Sequence, residues 1–278
     1  LKAKREFVKS ADDGCKILID CDWESVMLDK ERNSLASQLM YCFSSNKAAS
    51  KPSHFIISGV GPKTGESLGR MAGSDSWLAF HQSKECVLKK SFGKKEAAAG
   101  EEGASAAAAE QPEAAEPAPA APATDPATDV NTLSAFNMPD YVSSLTAENT
   151  VYLTADAEET LSGFDPSKTY VIGGVVDRNR LKNCTRQKAD FYGIPCAKLP
   201  IDEHASEDFG TFSRVLTVNH VADIVLTWQS SGGNWKKAVD KVMPKRRVGC
   251  GKTKERAWQR EEREQREKAE AEKGATEA

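Results

Sequence analysis

Apolar positions along this chain come in short unbroken runs, most of them followed by stretches in which they recur every three or four residues. Residues 16–23 read KILIDCDW. Three consecutive aliphatics without polar alternation predict a strand buried on both faces. Residues 25–49, SVMLDKERNSLASQLMYCFSSNKAA, place Met27, Leu28, Leu35, Leu39 and Phe43 at helical spacing with charges between them, which predicts a helix. HFIISGV (54–60) predicts a second strand, ended by Gly59 and Gly61, and WLAF (77–80) a weaker third. VYLTAD (151–156) predicts another strand followed by a helical EETLSGF, and YVIGGVV (170–176) the next strand. RLKNCTRQKADFYG (180–193) predicts a helix that Gly193 closes. CAKLPI (196–201) follows as a strand, then the apolar helix RVLTVNHVADIVLTWQ (214–229) and a final helix NWKKAVDKVMP that Pro244 ends. Strands alternating with helices predict an α/β fold built on a parallel sheet.

Composition divides the chain. Residues 1–15 form a polar, initially basic stub (LKAKREFVKS). Residues 94–130 collapse to Ala, Glu, Pro, Gly and Thr without one aromatic, so they are expected to be a disordered insert in a surface loop. Residues 249–278 form a charged tail without an apolar heptad, which argues against a coiled coil. The folded domain is therefore expected over 16–248, interrupted by the insert. A net charge of −3 conceals any local basic face, because acidic residues in the insert enter the same total.

The seven cysteines are widely spaced and contain no C-x-x-C pair, so no zinc-site spacing is present. They read as reduced thiols, with the nucleus or cytoplasm as the expected compartment. No apolar run approaches the roughly 20 residues that cross a bilayer. The four histidines have no metal-ligand spacing, and His220, inside VLTVNHVADIV, reads as a core residue. No internal repeat, Walker loop or G-x-G-x-x-G is present.

The segment YVIGGVVDRNRLKNC (170–184) carries the most chemistry. Two adjacent glycines weaken a strand, so they signal a bulge, tight packing or a ligand against bare backbone. In open α/β sheets ligands sit beyond the carboxyl ends of strands, where Gly173, Gly174 and Asp177 fall. Asp177 reads either as a helix cap or as a proton acceptor. Arg178, Arg180, Lys182, Arg186 and Lys188 read either as a solvated helix face or as a phosphate-binding one.

Several segments resemble one family: ILIDCDWESVMLDKERNSLASQL, HFIISGVG, VYLTADAEETL, YVIGGVVDRNRLKNC, KADFYGIPCAKLPID, RVLTVNHVADIVL and NWKKAVDKVMPKRR. In this order they resemble the tRNA N1-purine methyltransferases that modify position 9, a branch of the SPOUT superfamily. The resemblance implies a SPOUT-type parallel sheet flanked by helices, with a C-terminal trefoil knot, and a monomer, where most members of that superfamily dimerise. It implies S-adenosyl-L-methionine in a pocket lined by Leu153, Gly173, Asp177, Arg178, Asn179, Arg180, Leu181, Thr185, Leu199, Val215, Leu216 and Thr217. It also implies Asp177 as general base, with Arg178, Arg180, Lys182, Arg186 and Lys188 holding tRNA. The basic N-terminal extension usual in the family is here a stub (Lys2, Lys4, Arg5, Lys9).

Guanine N1 carries a proton that must leave before its lone pair can attack a methyl group, and a placed carboxylate can take it. Adenine N1 needs no such base. Three alternatives stay open: methylation of adenine at position 9, methylation of another RNA, and an RNA-binding module that supports a tRNA-processing nuclease.

Overall fold

A computed structural model of the chain describes residues 2–71, 77–93, 136–177, 180–205 and 216–243. Among these described residues six strands form one parallel sheet: β1 Lys16–Asp20, β2 His54–Ser58, β3 Phe80–Gln82, β4 Thr150–Leu153, β5 Thr169–Gly173 and β6 Cys196–Ala197, in the spatial order β3-β2-β1-β5-β4-β6. The register brings the carboxyl ends of three strands level, since Asp20 pairs with Ser58 on one side and Gly173 on the other. The parallel α/β expectation holds.

Alternation along the central strands builds two cores. Ile17, Ile19, Phe55, Ile57 and Ile172 face one layer, and Leu18, Ile56, Tyr152 and Val171 face the other. Ile17, Leu18 and Ile19 are fully buried, which is why their run lacks polar alternation. Each such side chain contributes roughly 1.5–3 kcal/mol on burial.

The helices are α1 Lys2–Asp12, α2 Asp29–Ala48, α3 Pro62–Gly69, α4 Val87–Phe92, α5 Met138–Ser144, α6 Cys184–Tyr192, α7 Ile201–His204, α8 Val218–Ser230 and α9 Trp235–Val242. α2 and α8 cover the first layer, while α4, α5 and α6 contribute Leu88, Tyr141 and Ala189 to the second. Buried polar groups pin these contacts. The Val218 N–H, an orphan donor at the start of α8, donates to Gln38 Oε1 of α2 at 2.9 Å. Gln229 accepts from Cys15 N at 2.7 Å and donates to Ser53 Oγ at 2.8 Å. Gly193 ends α6 at φ 65°, a left-handed cap that glycine adopts without strain.

Several boundaries differ from the sequence reading. α2 starts at Asp29, after a 3-10 turn at Glu24–Val26, because the Glu31 carboxylate accepts the Leu28 N–H at 2.8 Å and caps the helix there. EETLSGF is not helical: Thr160 bridges to Lys198, and Leu161 N donates to Lys198 O at 2.9 Å, so its backbone extends the sheet beyond β6. The CAKLPI strand shortens to Cys196–Ala197, and WLAF gives way to Phe80–Gln82. The basic stub forms α1, with Val8 and Ala11 buried. His220 is half-buried rather than a core residue, since α8 turns it toward its partly exposed side. The insert at 94–130 and the tail at 249–278 lie outside the described residues, and among the described residues no helix is long and apolar enough to cross a membrane.

Candidate functional site

A cavity of about 170 Å³ opens at the carboxyl ends of β4 and β5. Leu153 and Ile172, from the ends of these strands, form its apolar floor together with Leu199 and the α8 residues Val218 and Val221. Parallel strands leave a crevice there because their connections rise away from the sheet on both faces. The first turn of α6 closes one wall with Cys184 and Thr185. Thr185 shares a hydroxyl hydrogen bond of 2.8 Å with Thr154, just past β4, and this ties the wall to the floor.

The two glycines answer to two contacts. A methyl group on Gly173 would lie 2.6 Å from the Thr185 Cγ2. On Gly174 it would lie 2.8 Å from the Asp20 carbonyl oxygen and 2.9 Å from the Cys21 sulfur. Gly174 also donates its N–H to Asp20 O at 2.7 Å. Neither glycine has a positive φ. Gly174 therefore lets the exit of β5 lie against the exit of β1. Gly173 lets α6 cross the strand end while its own backbone lines the cavity.

Asp177 also lines the cavity. Its Oδ2 accepts the Leu181 N–H at 2.6 Å, and its carbonyl accepts from Arg180 N at 3.1 Å. Asp177 does not cap α6, whose N-cap position is Asn183; the Leu181 bond instead holds the carboxylate at the cavity wall. α6 itself begins later than expected, at Cys184, because residues 180–183 form a turn that carries this contact. Burial, then the charge of Asp177, pushes the Cys184 thiol above its usual range and keeps it protonated.

A second cluster lies beside the cavity, at the end of β1. Asp20 is fully buried and accepts from Tyr152 Oη at 3.0 Å and from Lys188 Nζ at 2.8 Å. Lys188 also reaches Asp22 Oδ2 at 3.4 Å and lies 4.4 Å from the centre of the Trp23 ring. Burial pushes the Asp20 carboxyl up against the opposing pull of Lys188. Burial lowers the ammonium of Lys188, but attraction to Asp20 outweighs it and leaves Lys188 above its ordinary value.

The expected cofactor residues Leu153, Gly173, Asp177, Leu181, Thr185, Leu199 and Leu216 line one cavity. Arg180 does not. Its guanidinium donates to Val26 O at 3.0 Å and to Glu31 Oε2 at 3.2 Å, clipping the Asp177 loop onto the start of α2. Thr217 is the exposed N-cap position of α8, with its hydroxyl turned to Asn219, and lies outside the cavity wall. Arg178, Asn179 and Val215 lie outside the described residues. Among the expected RNA-binding residues Lys182 is exposed and Arg186 pairs with Asp190 at 3.0 Å. Lys188 is a correction, because its ammonium is largely buried against Asp20 and Asp22 and is not presented to an RNA backbone.

The sequence reading missed Thr154, Asp156, Ile172, Cys184, Lys198, Asp202 and Val221 in the cavity wall. A usable signal existed for some of these: Asp156 and Asp202 follow apolar strand runs at carboxyl ends, as Asp177 does. The wall combines an apolar floor with ionised groups at its rim. That donor set fits a nucleoside whose flat base packs on aliphatic side chains and whose tail carries charge.

The model of the family described as tRNA (guanine(9)-N(1))-methyltransferase TRM10/TRM10A matches residues 1–98 and 128–248. A tRNA (guanine(9)-N1)-methyltransferase of Schizosaccharomyces pombe is 28% identical over 234 residues, covering 84% of this chain and 59% of that protein. One from Aspergillus fumigatus is 30% identical over 257 residues, covering 92% of this chain and 57% of that protein. The chain thus spans about six-tenths of the length of these curated relatives. Among solved structures, full-length spTrm10 in complex with SAH is similar at 27% identity and a TM-score of 0.58, over 83% of this chain and 95% of that one. The structure of spTrm10(74) is similar at 26% identity and a TM-score of 0.57, over 83% of this chain and 94% of that one.

Proposed function

From the premise that the chain belongs to the tRNA (guanine(9)-N(1))-methyltransferase TRM10/TRM10A family, we propose that it methylates N1 of guanine at position 9 of tRNA, with S-adenosyl-L-methionine as donor. The observation that carries this reading is the Asp177 carboxylate, fixed by the Leu181 N–H at the wall of the cavity beyond β5. The solved likeness with SAH supports the choice of cofactor. Leu153, Ile172 and Leu199 would pack on the adenine ring, and the bare backbone of Gly173 would let the nucleoside approach closely. When bound, the cofactor supplies a methyl group on a sulfonium, ready for attack by a nitrogen lone pair.

Asp177 accepts the N1 proton of guanine, which frees that lone pair. A placed proton acceptor contributes roughly 10²–10⁴-fold. The hydrogen bond from Leu181 and the Arg180–Glu31 clip hold the carboxylate in one orientation, which lowers the entropic cost of reaching the reactive geometry. Lys182 and Arg186, at the start of α6, would face the phosphate backbone near the cavity. Position 9 lies within the folded tRNA, so the base must be exposed first, at a cost of a few kcal/mol. A C-terminal trefoil knot and a monomeric state, both implied by the SPOUT resemblance, belong to the same proposal.

The test is transfer of labelled methyl groups to tRNA transcripts that carry G9 or A9. The expected result is label at N1 of G9. Label on A9 alone would replace guanine by adenine as the substrate. No label on either, with tRNA still bound, would favour the RNA-binding module.

A further inference from the structure

Two exposed large apolar side chains share one short segment between β1 and α2: Val26 at 40% and Leu28 at 64% exposure. Single exposed aliphatics are ordinary on a protein surface. These two are a pair aimed in one direction. Met27, between them, is buried, and the backbone is extended at Met27 (φ −96°, ψ 142°) and Leu28 (φ −75°, ψ 161°). Successive side chains of an extended chain point to opposite sides, so burial of Met27 turns Val26 and Leu28 outward together. Side chains from two elements hold the backbone of this segment. Arg32 donates to Glu24 O at 2.9 Å and also reaches Met27 O, Arg180 donates to Val26 O at 3.0 Å, and the Leu28 N–H donates to Glu31.

The pair stands beside the loop that carries the proton acceptor. The N–H of Val176, the residue before Asp177, donates to Met27 Sδ at 3.4 Å. Arg180, whose N–H bonds the Asp177 carbonyl, is the same residue that holds Val26. Neither Val26 nor Leu28 lines the cavity, so the pair is no part of its apolar floor. The surrounding charges suit a polyanion. Each carboxylate from Asp20 to Glu31 has a partner: Asp20 and Asp22 meet Lys188, Glu24 accepts the Lys63 and Thr64 N–H groups, Asp29 meets Arg32 and Lys63, and Glu31 accepts from Leu28 and Arg180. Arg180 keeps about half of its side chain exposed while it bonds Glu31, and Lys182 is exposed two residues further on. Cations beside a fixed apolar pair match a nucleic-acid strand with an unstacked base, whose phosphates meet the cations and whose face meets the aliphatic side chains.

We propose that Val26 and Leu28 form a platform that supports the target purine once it leaves the tRNA stack and holds its N1 edge toward Asp177. This rests on the reading of the chain as a tRNA methyltransferase. A base extruded from the tRNA core loses its stacking partners. Two aliphatic side chains fixed against one of its faces replace part of that contact. Aliphatic contact does not separate guanine from adenine, so the pair positions a purine and leaves the choice between them to the groups that meet N1.

The test uses the full chain and tRNA transcripts that carry guanine, adenine or the fluorescent base 2-aminopurine at position 9. The proteins are wild type, Leu28→Ser, the double variant Val26→Ser with Leu28→Ser, and Leu28→Met, which keeps an apolar side chain. In wild type, 2-aminopurine fluorescence should rise on binding as the base unstacks and is held. The double variant should lose most of that rise, and its single-turnover methylation of G9 at saturating tRNA should fall by about 10-fold. Its tRNA affinity, set mainly by phosphate contacts, should fall by less than about 3-fold. Its melting temperature and S-adenosylmethionine affinity should match wild type, because both positions are exposed. Leu28→Ser should show the same effects in smaller measure, and Leu28→Met should behave as wild type. Wild-type methylation and fluorescence in the double variant overturn the proposal. A loss that lies wholly in tRNA affinity, or one that comes with lowered stability or cofactor affinity in both Ser variants, overturns it as well, since the pair is then a general RNA contact or a structural element. If wild type methylates neither the G9 nor the A9 transcript, the methyltransferase reading itself falls, and the proposal with it.

Discussion

The two ends of the sheet both pair their buried polar groups, but the carboxyl end also keeps an open cavity beside them. At the amino end of β2, His54 Nδ1 lies 3.0 Å from His81 Nε2, and His54 Nε2 lies 2.8 Å from Asp12 Oδ1 of α1. Phe136 stacks on both imidazoles. Both ring nitrogens of His54 meet a protein partner, and Phe136 covers the pair of imidazoles. At the carboxyl end the Asp20–Tyr152–Lys188 cluster is closed in the same manner, but beside it the chain leaves an open cavity with carboxylates at the rim. A closed network fixes a shape. An open one fixes a shape and keeps ionised groups available to a ligand. The β-connections diverge only at the carboxyl end, which is why the chemistry collects there.

The largest effect should come from breaking the closed cluster beside the cavity. Lys188→Met leaves the buried Asp20 carboxylate without its cation, and denaturant unfolding should show a loss of about 3–5 kcal/mol. Adding Asp20→Asn should recover part of it. A loss below about 1 kcal/mol would mean that Tyr152 and solvent satisfy Asp20 unaided.

Acid should act next, on the opposite end. Burial is the main cause that pushes both histidines down, His81 from 6.5 to about 4, with the charge of His54 adding to it; Asp12 opposes the shift in both, and Lys16 lowers His54 further. A depressed histidine means that the unfolded chain takes up protons first. Stability is then fully present above about pH 6.5 and is lost as the pH falls toward 4. Thermal melts across this window should show the decline, and His81→Gln should flatten it. A melting temperature that holds level down to pH 4 in wild type would contradict the sealed relay.

The glycines should separate more finely. Gly174→Ala presses a methyl group onto the β1 backbone and Cys21, and should destabilise by about 1–3 kcal/mol whether or not ligand is present. Gly173→Ala presses on Thr185, a wall residue, so cofactor affinity and the melt should fall together, and Thr185→Ser should restore both. Recovery of neither would place the role of Gly173 elsewhere. The smallest effect should follow deletion of residues 96–128, whose composition offers nothing to bury; the shortened protein should unfold within about 0.5 kcal/mol of the full chain.

The sheet was legible because its strands are short aliphatic runs, ILI, FII and YVI, that cannot be satisfied on a solvated helix face. The end of YVIGGVVD was legible as a site for the same reason: glycines and an aspartate interrupt such a run where strands stop. What failed to read lay in long-range partners. EETLSGF has helical composition, but Lys198, distant in sequence, captures its backbone. Lys188 has the spacing of an outward cation, yet Asp20 turns it inward, and no local pattern reveals a pairing across 168 positions. Asp156 and Asp202 each follow a strand run, a signal present in the sequence, but that they share one cavity depends on β4 and β6 being neighbours, a fact of strand order.

The central claim is that the open end of the sheet holds a proton acceptor. Single-turnover methylation of G9 transcripts by wild type and Asp177→Asn, followed across pH beside cofactor titrations of both proteins, tests it most directly. The account predicts a loss on the order of 10²-fold in methylation, with cofactor affinity nearly retained. Methylation by Asp177→Asn at the wild-type rate throughout the pH range would contradict it, and would reduce Asp177 to a loop-fixing residue through its bond with Leu181.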